Sequence, residues 1–461
     1  MPQRSNTQST AQTNVQISSK ILPGTLLSTH SRFTDTADVT ALLGAFCFFL
    51  SSIEYMLPKP LPFMRLGIAN LPILLAVDIL PFPWYILLAI VKVIGMSLIS
   101  GTLFSFVALF SLMGTLTAAL VMWGARKLGG KYISQIGVSV LGAISSNLVQ
   151  MVIARYVAFG EAAWLIAPVF VAMGLITGLA LGLFAEHFAK VSRWYALASG
   201  RILAAPDTPS DNPGAAPPPA AQPTSRHQRR PHTEHHQARH QRRTAKKNAA
   251  RAARQLRRAR FEQTFVPWQI GLAGLTVAIL FILERNLAVK LGLLLFFILA
   301  TYLAGKSFSL LVTLMVSAGI ILANLFVPSG KVLYQLGPLT VTQFALTDGI
   351  IKAMTFEGLM FLSKASILQG LKIPGTLGNI VSSSFLYYDR IIEYKGRIHA
   401  ATLSADVDEM MFTVWQKETA QQEPTTSASV VSGLSPSSKT KQGAAILLLA
   451  VAIVVALFIF V

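Results

Sequence analysis

Glu54, Asn70, Lys92, Asn147 and Gln150 stand inside long apolar stretches of a 461-residue chain. A carboxylate, an ammonium and three amides in such surroundings cost free energy unless they pair with one another or meet a ligand. Asn147 and Gln150 are three residues apart, so on a helix they share a face. Lys92 lies in the middle of its stretch and needs a partner, for which Glu54 is the obvious choice. Asp78 and Arg155 are further polar groups set among apolar neighbours. These residue types do recognition chemistry, offering hydrogen bonds and charge to a small polar molecule. The competing use is hydrogen bonding between helices, and residue types alone leave both open.

Patterns that would make the chain an enzyme are incomplete. AGKS at 304–307 ends like a phosphate-binding loop, but that loop needs glycine at position 300, where Ala300 stands, and a preceding strand. It reads instead as a turn between helices. Polyprenyl diphosphate chemistry needs paired Asp-rich motifs to hold magnesium; DVDE at 406–409 is a single acidic cluster. Cys47 is the only cysteine, which excludes an internal disulfide and a two-cysteine redox or zinc motif. Five histidines between 227 and 240 sit in a polar tract with no fixed geometry. The sequence therefore predicts no catalytic residues, no metal site and no cofactor of its own.

The elements that must position the polar groups are membrane helices. Hydrophobic residues make up 53% of the chain and charged ones only 13%, about half the share in soluble domains. A spanning helix needs ~20 mostly apolar residues. Apolar runs of that kind cover about 39–57, 66–81, 83–100, 103–123, 134–157 and 162–187, the second being short and prone to end early. Others follow at about 266–283, 287–304, 308–327 and 343–365, and a charge-free run closes the chain. The expected fold is an all-α integral membrane protein, with two helical bundles of about six plus five transmembrane helices joined by a disordered basic cytoplasmic linker. The expected divisions are a disordered cytoplasmic tail over 1–37, a six-helix domain over 38–190 and a linker over 191–263. Membrane helices over 264–365, a cytoplasmic region and spacer over 366–441 and a last span over 442–461 complete them.

The formal charge of +19 is concentrated in that linker. Residues 226–260 hold thirteen Lys or Arg and one acid, Glu234. The positive-inside rule places such a segment in the cytoplasm, and with six spans before it the N-terminus as well. The stretch Gln241–Arg260, QRRTAKKNAARAARQLRRAR, has no interleaved aromatic for base stacking, which argues against nucleic acid. Anionic lipid headgroups are the expected partner, at about 1 kcal/mol for each basic side chain near the surface. Ala37, Ala41 and Ala45, with Gly44 beside them, form a stripe of small residues where another helix can approach closely.

Three segments carry a resemblance. LPFMRLGIANLPILLA (61–76), SLISGTLFSFVALFSLMG (97–114) and IGVSVLGAISSNLVQMVIA (136–154) resemble the Gx transporter family, also described as heptaprenyl diphosphate synthase component I. That family is similar to the substrate-binding S components of energy-coupling-factor (ECF) transporters. The second half resembles the T component of the same transporters, at GKVLYQLGPLTVTQFALTDGIIKAM (330–354) and GLKIPGTLGNIVSSSFLYYDRIIE (370–393). Where T components carry an Ala-Arg-Gly signature, this chain reads AATLSADVDE (400–409), with Arg390 and Arg397 as the nearest substitutes. The resemblance implies a non-enzymatic membrane subunit of an importer in the bacterial inner membrane. Its partners would be a small-molecule substrate and ABC-type ATPase subunits that bring ATP and magnesium. It implies substrate contacts from Glu54, Arg65, Asn70, Lys92, Asn147 and Gln150, docking through Ala37, Ala41, Ala45, Arg390 and Arg397, and a stiff lid at PKPLPFMRLG (58–67). A membrane scaffold, or a subunit of polyprenyl diphosphate synthesis, is the alternative reading.

Overall fold

The computed structural model describes residues 36–56, 67–200, 252–327, 330–336, 339–368, 375–394, 402–421 and 438–460. The N-terminal tail, Arg65 and most of the 58–67 lid, the histidine tract, most of the basic linker and Arg397 lie outside them.

Long apolar runs make the long helices of the first group: α1 (Thr36–Met56), α3 (Phe82–Ser100), α4 (Phe106–Gly129), α5 (Gln135–Ala154) and α6 (Ala163–Val191), the last continuing through Pro168. Local chemistry fixes their ends. Pro81 precedes α3 and Pro83 sits in its first turn, where the missing N–H costs nothing, while Gly101 ends it in the left-handed region at φ 68°. The run 66–81 does end early. Gly67, at φ 83°, opens a 3₁₀ turn (Ile68–Asn70), and α2 (Leu71–Ala76) follows for only six residues. At 1.5 Å per residue α2 spans ~9 Å, far less than the ~30 Å of a hydrocarbon core. The first group also runs past residue 190: α7 (Arg193–Ala198) buries Trp194 and Tyr195 against it.

The second group begins with α8 (Ala252–Thr264), bent by 92° from α9 (Pro267–Leu283). Then come α10 (Leu287–Leu303), α11 (Leu310–Leu325) and a two-stranded antiparallel hairpin, β1 (Val332–Leu336) with β2 (Leu339–Thr342). The helices α12 (Gln343–Ser366), α13 (Gly375–Glu393), α14 (Leu403–Gln421) and α15 (Ser438–Phe460) complete it. The protein is thus an all-α membrane protein, the hairpin being the only sheet among the described residues.

Among the described residues, six segments are long and apolar enough to cross a membrane: Thr36–Glu54, α3, α4, Gln135–Phe159, Ile166–Val191 and Gln442–Ile459. The bent pair α8–α9 would add a seventh, and α10 and α11 are shorter apolar helices. Helix α12 departs from a plain span by carrying Asp348, Lys352, Glu357 and Lys364. Asp348 and Lys352 pair at 2.6 Å, and Glu357 is buried. Large apolar side chains such as Leu311 (70% exposed) and Leu448 (73% exposed) face outward, as lipid-facing surface does.

Three seams hold the groups together. Along the first, α13 lies on α1. Gly44 makes room, since a Cβ there would come within 2.5 Å of Ser384 Oγ. Phe48 packs on Phe385 at 5.1 Å between ring centroids, and Ser52 Oγ lies 2.7 Å from Tyr388 Oη. Ala37 and Ala41 continue the Gly44 face at helical spacing, and Ala41 and Ala45 are fully buried. Helix α13 suits this place because its buried residues recur every three or four positions, at Ile380, Val381, Ser384, Tyr387 and Ile391. Arg390, on the same helix, is half-buried.

The second seam sets α11 and α12 over one end of the first group. Ser363 Oγ accepts from the Phe104 N–H at 3.0 Å, and Asn324 Nδ2 donates to the Ala158 carbonyl at 2.9 Å. At the third, Asp408 of α14 accepts from the Ser192 hydroxyl and from the N–H groups of Arg193 (3.2 Å) and Trp194 (3.0 Å), capping α7 from outside its own segment.

Candidate functional site

Two buried polar clusters occupy the first group. One surrounds Asp78, which joins the turn after α2 to the last turn of α4. Arg126 donates to both its oxygens, at 2.7 and 3.0 Å, and Gln135 and Tyr195 add bonds at 3.1 and 3.4 Å. A carboxylate clamped by a guanidinium fork is tightly held. It ties four elements together at the end opposite α12.

The other cluster lines a cavity of about 210 Å³. Its floor is built by the interrupted second segment. The left-handed turn at Gly67 aims that residue's N–H at Glu54 Oε1 (3.2 Å), and the Ala69 N–H reaches Oε2 at 3.4 Å. Asn70, in the 3₁₀ turn, accepts from Lys92 Nζ, which also donates to Thr115 Oγ1 of α4 at 3.1 Å. Lys92 is thereby held by an amide and a hydroxyl, while Glu54 forms another part of the same wall.

Helix α5 supplies the opposite wall. Gln150 Nε2 donates to Ser146 Oγ at 2.9 Å, and Asn147 Nδ2 to the Phe170 carbonyl of α6 at 2.6 Å. Gly114 lets these side chains close against α4, since a Cβ there would meet Gln150 Nε2 at 2.5 Å. Glu54, Asn70, Lys92, Asn147 and Gln150 therefore share one cavity, although they come from four separate stretches of sequence. Arg65 lies outside the described residues.

Residue-by-residue reading missed several lining groups. Ser51 lies one turn before Glu54 on α1, and its buried Oγ has no partner among the described residues. Hydroxyls from Ser111 and Thr115 on α4 and from Ser139 and Ser146 on α5 face the same space. Their signal was present as a row of small and polar residues at helical spacing: Ser139, Ala143, Ser146, Asn147, Gln150. The largest omission is the wall from the second group, where Val312 and Val316 of α11 and Phe356, Met360 and Lys364 of α12 cover the α3–α4 end.

The other motifs resolve simply. AGKS is the turn between α10 and α11, with Gly305 at φ 67°. Lys306 sits in that turn beside α8, where burial and then the neighbouring Arg258 push its ammonium below the ordinary lysine pKa. Within DVDE, Asp408 caps α7 and Asp406 accepts from Thr402 at 2.8 Å. No group of three or more potential metal ligands occurs among the described residues. The described end of the basic run is α8, where Arg257 lies over the Tyr302 ring at 4.2 Å.

Residues 43–188 match the family model described as heptaprenyl diphosphate synthase component I, and residues 269–369 match one described as a domain of unknown function (DUF8519). No curated protein and no solved structure matches the chain. The first match runs from within α1 to within α6, so it takes in every first-group residue of the cavity wall. The likeness of the first bundle to that family holds; the rest of the chain lies beyond it.

Proposed function

We propose that this chain is a membrane subunit of an ECF-like importer, in which α1–α7 bind a small nutrient or cofactor precursor. In this reading α9–α15 dock on that binding unit, and separate ABC-type ATPase subunits work on the docked pair and supply the ATP and magnesium chemistry. The observation that carries it is the shared cavity: polar groups of the first bundle converge on one space, and α11 and α12 of the second bundle cover it. A site walled by two bodies opens when they separate, so any partner that prefers one arrangement also sets access to the site. The seam of α13 on the small-residue face of α1 supplies the docking contact. The linker and the N-terminus lie on the cytoplasmic face of a bacterial inner membrane, with the α8 arginines near anionic headgroups. Affinity purification of the tagged full chain in mild detergent tests this reading. ABC-type ATPases are the expected companions, and a complex that forms without them at native expression contradicts it.

A second reading follows from the family description: a membrane component associated with polyprenyl diphosphate synthesis. The same purification would then recover a prenyl transferase. The Ser51 hydroxyl, which has no hydrogen-bond partner among the described residues, favours a ligand with polar groups over an apolar prenyl chain.

A further inference from the structure

Among the described residues the cavity is lined by two ammonium groups and one carboxylate. Glu54 already accepts two backbone N–H bonds. Lys92 is anchored to Asn70 and Thr115. Lys364 differs. It projects from α12 onto the α3–α4 turn at Gly101, beside Ser100 and Thr102, and it has no hydrogen-bond or ion-pair partner among the described residues. The acid that acts on it, Glu357, is two turns back on the same helix and forms no ion pair with it. The hydroxyl of Ser51, 7% exposed, is likewise open within the cavity. A cation set in a largely apolar wall without a direct ion-pair partner among the described residues is costly, and an anion entering the cavity lowers that cost.

We infer that the cavity takes a small organic anion, whose acidic group meets Lys364 while its polar body lies along the hydroxyls between α4 and α5. This deepens the importer reading and rests on it only in taking the cavity for the substrate site. It makes Lys364 of the second bundle a binding residue, so the site of the first bundle is incomplete when α12 is withdrawn. Docking and release of α12 would then raise and lower affinity for the anion.

The test uses the purified full chain in nanodiscs, without ATPases, so that its outcome is independent of whether those partners exist. Thermal unfolding midpoints are measured with acetate, inorganic phosphate and neutral acetamide at matched ionic strength. Acetate or phosphate is expected to raise the midpoint, the stronger of the two identifying a carboxylate or a phosphate ligand, and acetamide to leave it unchanged. Lys364→Met should weaken the anion response at least tenfold and Lys364→Arg should retain it. The anion-free midpoint of Lys364→Met should not fall, because the charge removed has no direct ion-pair partner among the described residues. If that variant is poorly folded, Lys364→Gln gives the same reading. Equal responses to acetate, phosphate and acetamide, no response to any of them, or an undiminished anion response in both neutral variants would overturn the inference.

Discussion

The two buried polar clusters of the first bundle use similar residue types to opposite ends. Around Asp78, a carboxylate meets a guanidinium, an amide and a phenol, and each finds a partner within the cluster. Around Lys92, the groups are spread over a cavity, and Ser51 and Lys364 keep open bonding capacity. The Asp78–Arg126 charge pair fixes helices in place, even with Gln135 Oε1 left without a partner among the described residues; a cavity holding an unpaired cation and hydroxyl keeps binding energy for something that arrives later. Polarity in a membrane span is therefore informative only when paired with an account of what remains unbonded.

The sharpest way to break the comparison is to remove Asp78. Asp78→Ala leaves Arg126 without its counter-charge and should lower stability by about 2–3 kcal/mol. That is less than for a fully buried pair, because the two side chains are 17% and 27% exposed. Detergent-solubilised unfolding would show it, and Asp78→Ala combined with Arg126→Leu should recover part of the loss. An unchanged midpoint would mean that the cluster is no clamp.

Next in size is the cavity. Asn70→Ala removes an anchor of Lys92 and should reduce uptake or ligand affinity about tenfold, the worth of one buried bond to a charged group, with membrane abundance unchanged. Gln150→Ala should act in the same direction but less, because Gln150 bonds a neutral hydroxyl. Uptake that survives both changes would remove these residues from the site.

The seams give smaller effects. Gly44→Leu would force α13 off α1, and expression of the two halves as separate chains should then recover several-fold less complex. Asp408→Asn keeps the shape at the α7 cap but loses its charge, for a cost of about 1 kcal/mol, the usual worth of a helix cap. Limited proteolysis after α7 should report it as faster cleavage.

How much of this could be read from the sequence follows the same division. Glu54, Asn70, Lys92, Asn147 and Gln150 stood out because each interrupts an apolar run, and the structure brings all five to one cavity. Helix type and the early end of the second span were legible in apolar run lengths and in Gly67 and Pro81. What pairs with what was not legible. Asp78 looked the same as Asn70 in sequence, and only the approach of Arg126, 48 residues away, makes it a clamp. In sequence, Lys364 stands near the end of its apolar run, where a basic residue is ordinary. Its importance comes from contact with Gly101 across more than half the chain. The amphipathic pattern of α13 was visible as a polar stretch, but its resting place on α1 depends on Gly44 lacking a side chain.

Native mass spectrometry of the full chain, released from its own membrane without added ligand, tests the central claim most directly. The account predicts a small-molecule adduct on the wild-type chain that persists in Asp78→Ala and disappears in Asn70→Ala combined with Lys364→Met. A wild-type chain that flies bare, or a double variant that keeps the adduct, would contradict it.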